Sequence, residues 1–224
     1  MISTTLPGVS RPEPRWPVII AVFAAVALHF ALPERLRFGA PWVLATIVVV
    51  LVAATQYARY RNMPTANSVL GFSVLGVLTI GLLWGVGRLL YALIKQKGTV
   101  PAADILQGAT VLWVTNVIVF ASLYWRLDAG GPNERERRDA HTEGAFLFPQ
   151  MTFTAPAGEH TIAEAEGWRP HFIDYLFVAF NTSTAFSPTD APVLSKWAKA
   201  AMMVQAMISF TTVVLVAARA VNIL

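Results

Sequence analysis

The chain contains no cysteine and few charged residues. The absence of cysteine among its 224 residues excludes a disulfide bond and a thiolate metal site. Charged residues make up 13% of the chain, against roughly 25% in soluble domains, whereas 55% of the residues are hydrophobic. A soluble fold could not cover its surface with so few charges. Together with the mean hydropathy of +0.55, this composition predicts an integral membrane protein whose first partner is the lipid bilayer.

Sequence motifs for catalysis are also missing. There is no glycine-rich phosphate loop, no nucleophile elbow and no His-Glu-x-x-His pattern. We therefore predict no catalytic residue, no enzymatic activity and no cofactor. The formal net charge of +4 is attributed to loop lysines and arginines, so no nucleic-acid partner is expected. Four loop residues have metal-ligand chemistry, but their spacing matches no ligand motif and no metal site is predicted. They are His141, Glu143, His160 and Glu164.

Long apolar runs predict an all-α transmembrane protein with about five spanning helices. A helix needs about 20 residues to cross a hydrocarbon core of about 30 Å. The first run could also be a signal peptide, but no small-x-small cleavage site follows it, so a retained helix is expected. The runs cover residues 16–32, 42–57, 69–94 and 105–125, and the last span lies within 193–224.

The distribution of charge and proline divides the chain into four parts. Residues 126–170 hold eight of the thirteen acidic residues, which indicates a solvated loop that could bind a protein partner. A short hairpin is expected within this loop, at 146–154. Basic residues flank the spans on both sides, so the orientation in the membrane stays open. The parts are a flexible tail at 1–15, a four-helix transmembrane region at 16–125, a charged extramembrane loop at 126–170, and a re-entrant helix plus final transmembrane helix at 171–224.

A short apolar stretch precedes a polar turn in the last part. The nine residues 172–180 are too few to span a bilayer as a helix, which rises 1.5 Å per residue. The polar run that follows, with Pro188, cannot face lipid because its backbone groups would lack hydrogen-bond partners. The pattern therefore predicts one re-entrant half-helix that stops within the membrane or at its interface.

The order of these elements resembles the layout of potassium channels. A short helix, a polar turn ending in Asp190 and a long final helix correspond to pore helix, filter, acid and inner helix. The turn reads Ala-Phe-Ser-Pro-Thr-Asp, where those channels have Thr-Val-Gly-Tyr-Gly-Asp. Ser187 and Thr189 replace the glycines whose backbone freedom the filter needs, and Pro188 fixes a further φ angle. A potassium-type filter is therefore not expected.

Polar residues of the C-terminal part form the candidate pore or polar pathway. In the final helix they recur at spacings that place them on one face. Such a stripe either lines a pathway or hydrogen-bonds to neighbouring helices, and both interpretations remain open. The acid of the turn either attracts cations at a vestibule or caps the final helix. The candidates are Asn181, Thr182, Ser183, Thr184, Ser187, Asp190, Gln205, Ser209 and Thr212.

Single residues elsewhere in the helices predict packing contacts. Gly81 and Gly85 fit the small-xxx-small pattern of closely packed membrane helices. Asn116 and His29 are expected to hydrogen-bond between helices. Asp174, in the first turn of the short helix, suits an acid that stabilises the helix dipole.

Short motifs spread over residues 124–222 resemble an uncharacterised bacterial integral-membrane family. They are 124–132 (YWRLDAGGP), 148–149 (FP), 172–177 (FIDYLF), 184–190 (TAFSPTD) and 218–222 (ARAVN). The family is known only as a domain of unknown function and is distantly similar to pore-loop channels. The resemblance implies a multi-pass protein of the bacterial inner (plasma) membrane. It carries no established activity.

Two functions fit the sequence. The first is a channel-like or transport protein with a pore built from the re-entrant segment and the final helix. That function requires a homo-oligomer, because one re-entrant segment cannot surround a pore. The second is a non-conducting structural, sensing or assembly protein that keeps a pore-like fold. The missing filter glycines and the charged loop favour this alternative.

Overall fold

A computed structural model describes residues 13–37, 39–95, 100–156, 158, 160–184 and 191–221. Over these residues the fold is all-helical, and β pairing is limited to two isolated bridges. The all-α prediction is therefore confirmed. The helices are α1 (Trp16–Ala31), α2 (Pro41–Tyr60), α3 (Pro64–Lys95), α4 (Ala102–Leu127), α5 (Pro132–Arg135), α6 (Ile162–Glu166), α7 (Phe172–Thr184) and α8 (Lys196–Val221).

Four of the described helices are long and apolar enough to cross a membrane. They are α2, α3, α4 and α8, so the chain is a membrane protein as its composition predicts. Helix α1 is apolar but has only 16 residues, which correspond to about 24 Å of helix. Helix α7 is shorter still, with 13 residues.

Proline marks the start of several helices. Pro41, Pro64 and Pro132 are the first residues of α2, α3 and α5. Proline suits this position because its φ angle is already helical and its missing N–H would have no partner in the first turn. One residue of the turn between α2 and α3 adopts a left-handed backbone conformation. It is Asn62, with a φ of 53°.

Helix α4 lies at the centre of the bundle. It packs against α1, α3, α7 and α8, and Ala109, Ala121 and Tyr124 on it are fully buried. Helix α2 packs mainly on α3. The outward faces of α2 and α8 are apolar, as surfaces in contact with lipid should be; they carry Ile47, Val49 and Val50 on α2 and Met203, Met207 and Phe210 on α8.

The glycines of α3 allow neighbouring helices to approach closely. A Cβ at Gly81 would touch the side chain of Leu44 on α2, and one at Gly85 would collide with Leu112 on α4. The predicted packing role of both glycines is confirmed. Helices α2 and α4 therefore both pack against the same small-residue stretch of α3.

Residues 128–171 fold over one end of the bundle, and we call them the cap. The hairpin expected at 146–154 is wrong, because Phe146 pairs with Val193 and Thr154 pairs with Thr161. Between these two bridges, Pro149–Met151 forms a 3-10 turn. The fully buried ring of Phe146 lies against Tyr124, Tyr175 and Trp197. These contacts place Phe146 beside the segment before α8, so its backbone pairs with that segment and not with a neighbour in sequence.

Candidate functional site

A buried polar cluster joins α4, α7 and α8. The Tyr124 hydroxyl donates a hydrogen bond of 2.6 Å to Gln205 Oε1. Gln205 Nε2 donates to the Ala179 carbonyl at 2.6 Å and to Ser183 Oγ at 2.7 Å. One amide side chain thus connects all three helices. We call this set, together with Asn116 and Ser209, the interhelical cluster.

Asn116 adds a second link between α4 and α8. Its Nδ2 donates to the Gln205 carbonyl at 3.1 Å and to Ser209 Oγ at 2.9 Å. The interhelical hydrogen bonding expected of Asn116 is confirmed. His29 is also buried; its Nε2 has no hydrogen-bond partner among the described residues, and the interhelical bond expected of His29 stays a prediction.

The structure brings together most of the described candidate pathway residues. Thr182, Ser183, Gln205, Ser209 and Thr212 are all buried. The hydroxyls of Thr182 and Thr212 donate to carbonyls of their own helices. The polar stripe of α8 therefore faces α4 and α7, and whether it also lines a pathway stays a prediction.

The remaining candidates lie at and beyond the end of α7. Asn181 and Thr184 are half-buried in its last turn. Thr184 donates to the carbonyls of Phe180 and Asn181, so its hydroxyl is used within the helix. Ser187 and Asp190, with Pro188 and Thr189, lie outside the described residues, and so does the side chain of Arg219.

The base of the cap holds a second buried polar group, centred on Asp128. Its Oδ1 accepts from the Ala145 backbone N–H, and its Oδ2 accepts from the Tyr175 hydroxyl at 2.6 Å. His141 Nε2 lies 3.4 Å from the same Oδ2. Asp128, His141 and Tyr175 are each at most 1% exposed. This carboxylate therefore fastens the cap to the end of α4 and to the start of α7.

A buried ion pair ties the segment before α1 to the cap. Arg135 Nη2 lies 3.0 Å from Glu13 Oε1, and Trp125 Nε1 also donates to this carboxylate. Arg135 Nη1 donates to the carbonyls of Trp125 and Asp128 at 2.8 and 2.9 Å. Because the guanidinium is fully buried, removing Glu13 would leave it without its compensating charge.

A neighbouring ion pair reinforces this anchor. Arg15 Nη2 lies 3.0 Å from Glu136 Oε1, and the same oxygen accepts from the Glu13 backbone N–H. Burial lowers the pKa of Arg15, while the hydrogen bond and the charge of Glu136 oppose that shift. The segment at 13–15 is thus held on the cap by two ion pairs.

The sequence missed Asp128, Arg135 and Tyr124 as functional residues. A signal for Asp128 existed, since it closely follows the fourth apolar run, and ionisable residues within the membrane pair with other groups. A signal for Tyr124 also existed, since a buried tyrosine hydroxyl usually finds a hydrogen-bond partner. Neither signal identifies the partner, which lies 47 residues away for Asp128 and 81 for Tyr124.

The four loop residues with metal-ligand chemistry take separate roles. His141 lies beside Asp128 and against the rings of Phe148 and Trp168. His160 is exposed and lies 3.9 Å from Glu164. Among the residues that the structure describes, no three side chains of metal-ligating type converge.

Comparison with protein-family models, with curated proteins and with solved structures finds no match for the chain. Function is therefore inferred from the geometry of the interhelical cluster and of the cap.

Proposed function

We propose that the chain is a non-conducting multi-pass membrane protein that presents the cap as an assembly surface. The observation that carries this proposal is the closure of the interhelical cluster. The side-chain polar atoms of Gln205 and Ser209 form hydrogen bonds with α4 and α7 of the same chain. An ion passing along α8 would need such groups to replace its hydration shell. Here these groups already form hydrogen bonds within the chain.

The outward surface of α8 supports the same conclusion. Met203, Met207 and Phe210 are each more than 60% exposed and apolar. Such a surface suits lipid or another apolar helix, and it offers no ligand to an ion. Two cavities that described residues form beside the spans are small, with volumes of about 60 and 20 Å³.

We further propose that α1 spans the membrane and brings the number of spans to five. Glu13 bonds to Trp125 at one end of α4, and Gln107 Nε2 donates to the Ala31 carbonyl at 2.8 Å near the other end. Gln107 and Trp125 are 18 positions apart, or about 27 Å along the helix. Helix α1 with its flanking residues therefore accompanies α4 over nearly the thickness of the hydrocarbon core.

The proposal includes α7 as a re-entrant helix. It begins beside the cap, where Asp174 Oδ2 accepts from the His171 backbone N–H at 2.7 Å. Its 13 residues extend about 20 Å. Val193 pairs with Phe146 of the cap, so the chain is again at the cap before α8 begins. Entry and return on one side are what a re-entrant segment requires.

The cap suits a protein partner because its base is rigid and its rim is charged. Asp128 and Arg135 hold its inner side, while Asp139 and Glu143 are exposed. We propose that these exposed side chains contact the partner, in the bacterial plasma membrane that the resemblance implies. Deleting residues 133–145 would also remove Arg135, so charge reversal at the rim is the cleaner test.

A crosslinking experiment tests the assembly function. A photoreactive residue is placed at Arg137 or Thr142, both exposed on the cap, in the full chain, and at Tyr60, exposed on α2, as a control. Cells are irradiated, and the products are separated by mass. The proposal expects a discrete product at the rim positions that is lost when Asp139→Lys and Glu143→Lys are combined. Equal products at all three positions, or products unaffected by the reversal, would rule out the cap as the assembly surface.

Transport is the second candidate function, favoured by the half-helix layout of α7. Asn181 and Thr184, half-buried at its end, would line a pore closed by several copies of the chain, together with Ser187 and Asp190, which follow in the sequence. Ion flux through sealed liposomes separates the two functions. Flux that falls in Asp190→Asn would establish transport, and tight liposomes from folded protein would support the non-conducting function.

A further inference from the structure

An open cavity of about 460 Å³ lies between the turn that joins α2 to α3 and helix α5. It is lined mainly by polar and charged side chains, and it is separate from the interhelical cluster. Those that matter here are Arg59, Asn62, Asn67, Asn133, Glu136 and Arg137.

The cavity lies at the level of the membrane interface. Arg59 and Asn67 belong to the last turn of α2 and the first turn of α3. Exposed aromatic residues surround this end of the bundle, with Trp16 65%, Tyr57 62% and Tyr60 83% exposed. Tryptophan and tyrosine gather at the depth of lipid headgroups. A molecule in this cavity would therefore be at headgroup depth.

The charges at the cavity favour one negative charge on a ligand. Arg59 Nη2 is 4.0 Å from Glu136 Oε1, which is longer than a hydrogen bond, and this oxygen already accepts from Arg15 at 3.0 Å. Among the described residues, Arg137 forms an ion pair with exposed Glu134. The lining itself carries two arginines, Arg59 and Arg137, and one glutamate, Glu136, which leaves one positive charge. Guanidinium groups hold phosphate oxygens well because they donate two parallel hydrogen bonds.

The wall also contains an acceptor without a partner. Asn67 is 3% exposed, and its Nδ2 donates to the Thr55 carbonyl at 2.9 Å. Its Oδ1 accepts no hydrogen bond within the described part of the chain. A buried amide oxygen of this kind is costly unless a donor reaches it. Because this oxygen is not itself exposed to the cavity, the donor of a ligand is expected at Glu136, whose side chain is 24% exposed.

We propose that this cavity binds the headgroup of a membrane phospholipid. Arg59 and Arg137 hold the phosphate, and an ammonium or hydroxyl of the headgroup donates towards Glu136. The acyl chains lie along α3, where Val69 and Phe72 are exposed just beyond the cavity. A free phosphate offers the same anionic oxygens, but it would use neither the interfacial position nor this apolar surface.

Native mass spectrometry of the purified full chain tests the proposal. Phosphatidylethanolamine, phosphatidylglycerol, phosphatidylcholine and inorganic phosphate are titrated separately. Phosphatidylcholine has the phosphate but no donor, so we expect it to bind more weakly than the first two lipids. Arg59→Gln should weaken binding about tenfold, because it removes a charge-assisted hydrogen bond. Arg137→Gln should also weaken lipid binding. It should disturb folding less than Arg59→Gln, because the Arg137 side chain is more exposed.

The matched control is Arg61→Gln. It removes the same charge from the same turn, but Arg61 does not line the cavity. Retention of lipid binding in Arg61→Gln, with loss in Arg59→Gln and Arg137→Gln, supports the proposal. Equal binding by all variants would overturn it. Binding of inorganic phosphate as tight as that of the lipids would also overturn it and would assign the cavity to a soluble phosphate.

Discussion

The hydroxyl of Tyr124 and the side-chain carbonyl of Gln205 are 2.6 Å apart, although 81 positions separate the two residues in the sequence. Both residues are fully buried. Their hydrogen bond joins α4 to α8, and the amide nitrogen of Gln205 extends the link to α7. Gln205, which the sequence suggests as a residue lining a pathway, thus links three helices by hydrogen bonds.

Replacing Gln205 should therefore destabilise the bundle. Gln205→Leu removes three hydrogen bonds and leaves the Tyr124 hydroxyl buried without a partner. At about 0.6–1.7 kcal/mol for each interhelical hydrogen bond, we expect a loss of about 2–4 kcal/mol in the free energy of unfolding. Equilibrium unfolding in mixed micelles measures it.

The control for this variant is Met207→Leu, on the exposed face of the same helix. It should leave stability within about 0.5 kcal/mol of the parent. Equal stability of the two variants would show that the interhelical cluster contributes little to the fold.

The spans could be predicted from the sequence because apolar runs report lipid contact directly. The apolar run at 69–94 lies within α3, and the small residues of that run are themselves a local signal of close helix packing. The hairpin predicted at 146–154 is wrong because Phe146 pairs with Val193, which follows α7 in the sequence. Long-range pairings of this kind, like that of Tyr124 with Gln205, depend on the tertiary fold and leave no local pattern.

Gly71 should accept a side chain only if Arg126 is displaced. The guanidinium of Arg126 lies against it and donates to the carbonyls of Asn67 and Ser68 on α3. Gly71→Ala would displace this group from both carbonyls. We expect a loss of about 1–3 kcal/mol, the usual cost of overpacking, measured by the same unfolding assay.

Gly76 on the same helix provides the comparison, since a Cβ there would meet nothing within 4 Å. Gly76→Ala should be neutral or slightly stabilising, because alanine favours helix over glycine. If Gly71→Ala were as stable as Gly76→Ala, the position of Arg126 would have to differ from the one described.

The cap should loosen when Asp128 loses its charge. Asp128→Asn has one acceptor oxygen in place of two, so it cannot accept from both Tyr175 and the Ala145 N–H. We expect faster proteolysis and faster amide exchange throughout residues 128–171. Glu143→Gln, an exposed change in the same cap, should leave both rates unchanged. Unaltered rates in Asp128→Asn would remove this carboxylate as the anchor of the cap.

Helix α6 should respond to acid through Glu164. The Thr161 backbone N–H and hydroxyl donate to this carboxylate and lower its pKa from the ordinary value of 4.5. A lowered pKa in the folded state means that the stabilisation is complete above the ordinary value and fades as the pH falls through the lowered one. Chemical shifts of residues 162–166 should therefore lose helical character in acid. Glu164→Gln should lack this dependence, whereas Glu166→Gln should retain it.

Ion flux into sealed liposomes tests the central claim most directly. Purified protein, shown to be folded by its unfolding transition, is reconstituted and assayed with several cations and anions beside Asp190→Asn and Gln205→Leu. The non-conducting function predicts liposomes as tight as protein-free ones for every ion and every variant that folds. Flux through the parent chain that falls or changes selectivity in Asp190→Asn would contradict it and would establish a pore at the turn after α7.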